Sequence, residues 1–196
     1  MGSGFTTFTA GNVLTASEMN NYLMEQSVMS FATAAARASA VTAPETGMMY
    51  WDQALLTLNV YNGSAWVSIT RQAAAVATSQ TTTSATYADL ATSGPAVSVT
   101  TGTKAFVTLG CGFQHTTATA LSNMGFTVSG ATTVVAANAS SVQCDFANIN
   151  TVRFRFSNTI LVTGLTAGIN TFTAKYLTNA GTATFSDRVI TVEALP

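Results

Sequence analysis

His115 is the sole histidine of the chain, so a Ser-His or Cys-His nucleophile system, or an imidazole general base, would have to be built on it. It closes the alternating run Lys104 to His115, and no Ser or Cys stands in a G-x-S-x-G elbow. The expectation is a structural histidine. Cys111, His115, Cys144 and Asp145 are residue types that bind zinc, but Cys111 and His115 lie four apart on one strand face. That is about 13 Å at ~3.3 Å per residue, too far for one ion. The eight carboxylates, Glu18, Glu25, Glu45, Asp52, Asp89, Asp145, Asp187 and Glu193, are scattered. A glycosidase needs two of them about 5–9.5 Å apart in an aromatic groove. Asp89 with Asp187 is a pairing that the sequence leaves open. Turn hydrogen bonding is the expected role for these groups, with Asp187 and Arg188 forming a local pair. Gly110-Cys111-Gly112 has no helix after it and is no phosphate loop. Trp51 and Trp66, with Tyr50 and Tyr61, could stack on a sugar, but large aromatics mostly serve packing, and a packed hairpin core is expected. No catalytic residue, metal ligand or cofactor is assigned.

The elements that would carry such groups follow from composition and pattern. The 196 residues suit one ordinary domain with a smaller appended piece. Charged residues are 8 % of the chain and the net charge is -1. Seven Lys and Arg are too few to neutralise phosphate, which argues against nucleic-acid and anionic-membrane partners. The balance is made up by Thr, Ser, Asn and Gly. A surface so poor in charge suits a protein packed against copies or partners; the alternative is a free sandwich with a Thr-rich exterior. No apolar run reaches the ~18 residues of a membrane span, and MGSGFTTFTAGNVL lacks the pattern of a secretory signal. Two cysteines are too few for a disulfide framework.

Residues 1–13 read as an extended arm with Phe5 and Phe8 as apolar hooks. Thr15-Ala16-Ser17-Glu18 fits a capping box, with Leu14 and Met19 as its staple, and opens a helix expected to run to about Ser39. Within it Met24, Val28, Phe31, Ala35 and Ala38 recur at coiled-coil spacing over about two and a half heptads. Pro44 ends the helix. Gly47 to Ile69 is then the most informative stretch. Tyr61-Asn62-Gly63-Ser64-Ala65-Trp66 predicts a tight hairpin with a type I′ Asn-Gly turn and an aromatic on each strand. Such a hairpin needs a packing partner. Residues 73–84 read as an Ala/Thr/Ser linker. From residue 85 to 196 short alternating runs give inward sets: Ala105, Val107, Leu109, Cys111 and Phe113; Met124, Phe126 and Val128; Val152, Phe154 and Phe156; Phe172, Ala174 and Tyr176. The face switches between Phe185 and Ile190, which predicts a bulge near Asp187 or Arg188. The fold class is mainly β: an N-terminal arm and helix, an aromatic β-hairpin, then a jelly-roll-like antiparallel β-sandwich.

Pro44, Gly47, Tyr50, Asp52, Leu58, Tyr61, Gly63 and Trp66 form a pattern that resembles a module of tailed-phage tail, fibre and other virion proteins. Leu14-Thr15-Ala16-Ser17-Glu18-Met19-Asn20 with Tyr22-Leu23, Tyr87 to Pro95, and Leu165 to Phe172 with Asp187-Arg188 resemble further stretches of such proteins. The resemblance implies a virion structural component, assembled in the bacterial host cytoplasm, rather than an enzyme. Residues 1–72 would anchor it to tail, portal-vertex or capsid proteins, and 85–196 would be exposed, contacting a host-surface glycan or protein. A homotrimer is expected, with Met24, Val28, Phe31, Ala35, Tyr61 and Trp66 as the oligomerisation and attachment residues. A capsid decoration protein is the alternative, and a carbohydrate-binding or carbohydrate-active domain the third reading. Nucleic acid and membrane insertion are not expected.

Overall fold

The computed structural model describes residues 11, 13, 15–19, 27–146 and 151–195. The arm to residue 10 and the seam residue Met24 therefore lie outside the described residues. Helix α1 (Ala16–Met19) starts where the Thr15 cap was expected, with the Met19 amide bonded to the Thr15 carbonyl at 3.0 Å. The long helix is not formed. Val28–Phe31 is instead a strand, β1, and α2 (Ala34–Ala40) is a separate helix whose N-cap is Thr33; the Thr33 Oγ1 accepts the Ala36 amide at 3.1 Å. The coiled-coil seam is thus broken between Phe31 and Ala35. Helix propensity differs among these residues by tenths of a kcal/mol. Pairing of β1 with β2 (Met49–Asp52) outweighs it, and Phe31 meets the Tyr50 ring edge-on at 6.1 Å.

The β1–β2 pair is parallel, with α2 as its crossover, and β3 (Thr57–Tyr61) and β4 (Trp66–Ser68) complete a four-stranded sheet. The β3–β4 hairpin forms at the expected place, but not through a type I′ turn. The Asn62 amide bonds the Ala65 carbonyl at 3.0 Å, so Gly63 and Ser64 are the central residues, and of Asn62, Gly63 and Ser64 only Gly63 has positive φ, +97°. That is the glycine placement of a type II′ turn. Asn62 serves as its brace: Oδ1 accepts the Ser64 and Ala65 amides at 3.0 and 2.9 Å.

β5 (Gln72–Val76) and β6 (Gln80–Thr82) lie in the stretch expected as a linker, and both pair with the late strand β13 (Ala183–Leu195). Between them run β7 (Ala96–Thr101), β8 (Lys104–His115), β9 (Leu121–Gly130), β10 (Ser141–Asp145), β11 (Phe154–Thr163) and β12 (Gly168–Thr178). One sheet has the order β11-β8-β13-β5 and the other β10-β9-β12-β7. With β6 set aside, eight strands remain. The first pairs the eighth, the second the seventh, the third the sixth and the fourth the fifth, all antiparallel. A folded-over ribbon wound in this way is a jelly roll.

The alternating runs do what their period demands. Ala105, Val107, Leu109, Cys111 and Phe113 of β8 are fully buried and face, across the sandwich, the equally buried Phe172, Ala174 and Tyr176 of β12, which lie beside Met124, Phe126 and Val128 of β9 in the same sheet. β11 departs from expectation. Val152 precedes the strand and is exposed, and Phe156 is exposed because β11 is an edge strand paired on one side only and its inner face is half covered. The expected bulge is present: the β13–β8 register shifts between Ser186 and Val189, and Asp187 sits at φ +47°. Asp187 and Arg188 do not pair. The bulge turns Asp187 outward to Arg153 and to Arg155 at 3.5 Å, while Arg188 goes fully into the interior.

Burial also sets a pH dependence. Desolvation pushes the Cys111 thiol and the Tyr176 phenol well above their ordinary values and the Cys144 thiol up to about 11. The folded chain therefore keeps these protons to higher pH than the unfolded chain. Each contribution is whole below the group's ordinary pKa and is lost progressively as pH rises from there to the raised folded value, about 11 for Cys144. Urea melts under reducing conditions at pH 7 and pH 10 should show lower stability at pH 10, each buried thiol costing up to about 1.4 kcal/mol per pH unit above ~8.5. Equal midpoints would refute it.

Candidate attachment and recognition surfaces

The residues with chemical potential are structural in this fold. His115 is buried: Nδ1 lies 2.8 Å from the Thr117 amide and 3.0 Å from its carbonyl, and Nε2 lies 3.0 Å from Thr178 Oγ1. Cys111 and Cys144 are free thiols inside the sandwich. Asp89 pairs with Lys175 at 2.6 Å, whereas Asp187 pairs with Arg153 and Arg155, so the two carboxylates are each held by their own cation. Among the described residues no group of three or more His, Cys, Asp and Glu could hold a metal ion.

The expected attachment residues separate onto two faces of the N-terminal sheet. In register, Met29, Tyr50, Asn59 and Ser68 share one face with Phe31, Tyr61 and Trp66. Here Trp66 is buried, 4.9 Å from Tyr50 edge-to-face and 5.4 Å from Tyr61, and the Arg37 guanidinium of α2 covers the rings at 4.8 Å from Trp66 and 5.4 Å from Tyr50. Such aromatic and cation–π contacts are worth about 0.5–2 kcal/mol each. Desolvation raises the Tyr50 pKa, against the opposing pull of Arg37. The structure thus brings Phe31, Tyr61 and Trp66 together as an internal cluster. Ala35 is exposed on α2.

Val28 lies on the opposite face, in line with Met49, Val60 and Val67, and next to Trp51 and Leu58. Val67 is fully buried in the sandwich core and seats this end of the sheet. A side chain at Gly102, after β7, would meet Val67 and Asn62, so the bare backbone there lets the hairpin approach closely. Away from that seat the face is open and largely apolar: Val28 is 51 % exposed and Trp51 36 %, with Met49, Leu58 and Val60 half-buried, and the exposed Ser30 lies beside Trp51, its hydroxyl accepting a hydrogen bond from Gln53 Nε2 at 3.0 Å. Ile69, whose amide bonds the Leu58 carbonyl at 2.9 Å, extends the face and is 38 % exposed. None of these residues is charged.

A second concavity lies on the outer side of the β10-β9-β12-β7 sheet. Its floor carries Thr127, Lys175 and Leu177, and its walls are residues 85–89 and 135–138.

No family model and no curated protein matches the sequence. Solved structures similar to it include the infectious bursal disease virus VP2 subviral particle, 8 % identical over 70 % of this chain and 34 % of that one, at a TM-score of 0.46. The Gx strain of the same virus is 10 % identical over 69 % of this chain and 33 % of that one, at 0.45. The CBM22-1 xylan-binding domain of Xyn10C from Paenibacillus barcinonensis is 13 % identical over 64 % and 83 %, at 0.33. The chain spans about a third of the length of the capsid chains. These likenesses carry no functional conclusion, and the jelly-roll assignment rests on strand order alone.

Sequence reasoning missed Arg37, which looks like one more polar residue of an Ala-rich helix, and missed the outer concavity altogether. Its lining comes from four separate stretches with no common spacing. A signal for Arg37 was available: its position three residues beyond Ala34 sets it on the first turns of a helix that Thr33 can cap.

Proposed function

We propose that this chain is a non-enzymatic structural protein of a tailed-phage particle, acting as a homotrimer attached through residues 1–72 with the sandwich projecting outward as a fibre- or spike-type appendage. One observation carries the reading: the open face of Val28, Met49, Trp51, Leu58, Val60 and Ile69, contiguous, apolar and free of charge. Contiguous exposed apolar surface marks an interaction site, and a chain with 8 % charged residues has little else to keep such a face in solution. The virion resemblance of Pro44 to Trp66 falls on this same sheet. Tyr50, Asp52 and Trp66 of that pattern are its buried frame.

Light scattering of the purified full chain should give the mass of three chains. The double variant Val28→Asp, Trp51→Glu changes exposed side chains alone and should give single chains with an unchanged sandwich, as judged by circular dichroism. A wild-type chain that stays single at tens of micromolar would sink the trimer. Electron microscopy of particles carrying a labelled copy then separates an appendage, few per particle, from a decoration protein spread over the shell.

A further inference from the structure

We propose that the concavity on the outer side of the β10-β9-β12-β7 sheet is a binding groove for a neutral oligosaccharide. This goes beyond the virion reading and stands or falls separately from it. The groove has a volume of ≈ 770 Å³, within the range of about 300–1,000 Å³ usual for small-molecule sites.

Its construction is specific. Ala88 exchanges backbone hydrogen bonds with Tyr176 at 3.0 and 2.9 Å, which fixes the wall of residues 85–89 along β12. Tyr87 then lies across β9 at Gly125, where a Cβ would come within 2.8 Å of the ring, so the phenol is laid onto bare backbone. Its hydroxyl donates to Asn138 Oδ1 at 3.1 Å and ties one wall to the other. Tyr87 remains half-exposed in the groove, and Val135, 77 % exposed, stands on the opposite lip with Ala136 and Ala137.

The chemistry of these groups selects the ligand class. Lys175 and Asp89 are paired at 2.6 Å, so the groove presents N–H donors and carboxylate acceptors side by side with no net charge. That arrangement suits vicinal hydroxyls. A phosphate or acidic ligand would need an unneutralised cation, which the lining lacks. An aromatic ring facing small apolar side chains suits the C–H faces of a pyranose. A lipid would need a lining without the Lys, Asp, Asn and Thr found here.

The test is an NMR titration of the ¹⁵N-labelled full chain with neutral glucan, xylan, galactan, N-acetylglucosamine and rhamnose oligomers at millimolar concentration. At least one should shift the amides of Tyr87, Thr127, Ala137 and Lys175. Tyr87→Ala should weaken that binding about tenfold or more, the loss of one aromatic contact. Ala137→Trp changes an exposed side chain on the lip and fills the groove, so it should abolish binding while the remaining spectrum stays that of the folded chain. No shift with any of these sugars, shifts elsewhere, or undiminished binding by folded Ala137→Trp overturns the proposal. Binding confined to acidic saccharides overturns the neutral class.

Discussion

Replacing Arg188 with alanine lowers the stability of the chain by about 3–5 kcal/mol, the cost of a large cavity together with orphaned buried acceptors. Arg188 has the largest of the fully buried side chains. Among the described residues its guanidinium has no carboxylate partner. It donates instead to the carbonyls of Thr78, Thr92 and Gly94 and to Gln80 Oε1, at 3.0–3.4 Å, and lies over the Tyr176 ring at 5.3 Å. A truncated side chain would leave these acceptors unequal. Gly94 keeps the Tyr176 hydroxyl at 2.8 Å and Gln80 keeps the Thr92 amide at 3.1 Å, but the Thr78 and Thr92 carbonyls lose the donor that Arg188 gives them. Arg188→Lys keeps the charge but not the planar fork that spans both sides, so it should fall between wild type and alanine. Denaturant melts decide the matter. A loss under 1 kcal/mol for Arg188→Ala would show that the guanidinium is not the tie between the 78–94 segment and β13.

The second large effect is local. Trp66→Ala removes the ring on which Tyr50, Tyr61 and Arg37 converge, and a buried aromatic-to-alanine change costs about 3–5 kcal/mol. The ring does not belong to the sandwich core cluster, so the loss falls on residues 27–70. Limited proteolysis should cut that region of the variant while residues 72–195 stay resistant. Trp66→Phe should stay within about 1.5 kcal/mol of wild type, since a ring remains. The buried indole N–H, which has no hydrogen-bond partner among the described residues, is removed at the same time. Wild-type resistance in Trp66→Ala would mean that the aromatic cluster does not hold the N-terminal sheet together.

What could be read in advance was whatever leaves a periodic trace. β8, β12 and β13 alternate over most of their length because each has one covered side, and the slip at Asp187 showed itself as a change of phase. β5 and β6 left no such trace. Ala73, Ala75 and Thr81 are held by backbone pairing with β13 and need no hydrophobic pattern. β1 was misread because Val28 and Phe31 fit helical spacing as well as a strand, and the partner that decides between them, β2, is about twenty residues away. Burial of Arg188 was hidden by its type, since an arginine beside an aspartate reads as surface. The outer groove was hidden by topology: the segments of Tyr87 and Val135 are laid on neighbouring strands of one sheet, through the Ala88–Tyr176 and Val134–Val128 bridges, far from Lys175 in sequence.

The winding order bears on biosynthesis. Ala183–Leu195 fills the space between β5 and β8, so this sheet stays incomplete until a strand made about a hundred residues after β5 arrives. Until then β5 lacks its antiparallel partner, and the gap between β5 and β8 has two unpaired flanks that a stray strand could enter. The sandwich therefore cannot close strand by strand as the chain emerges, and shielding of its open edges until β13 is made is a demand that the topology imposes.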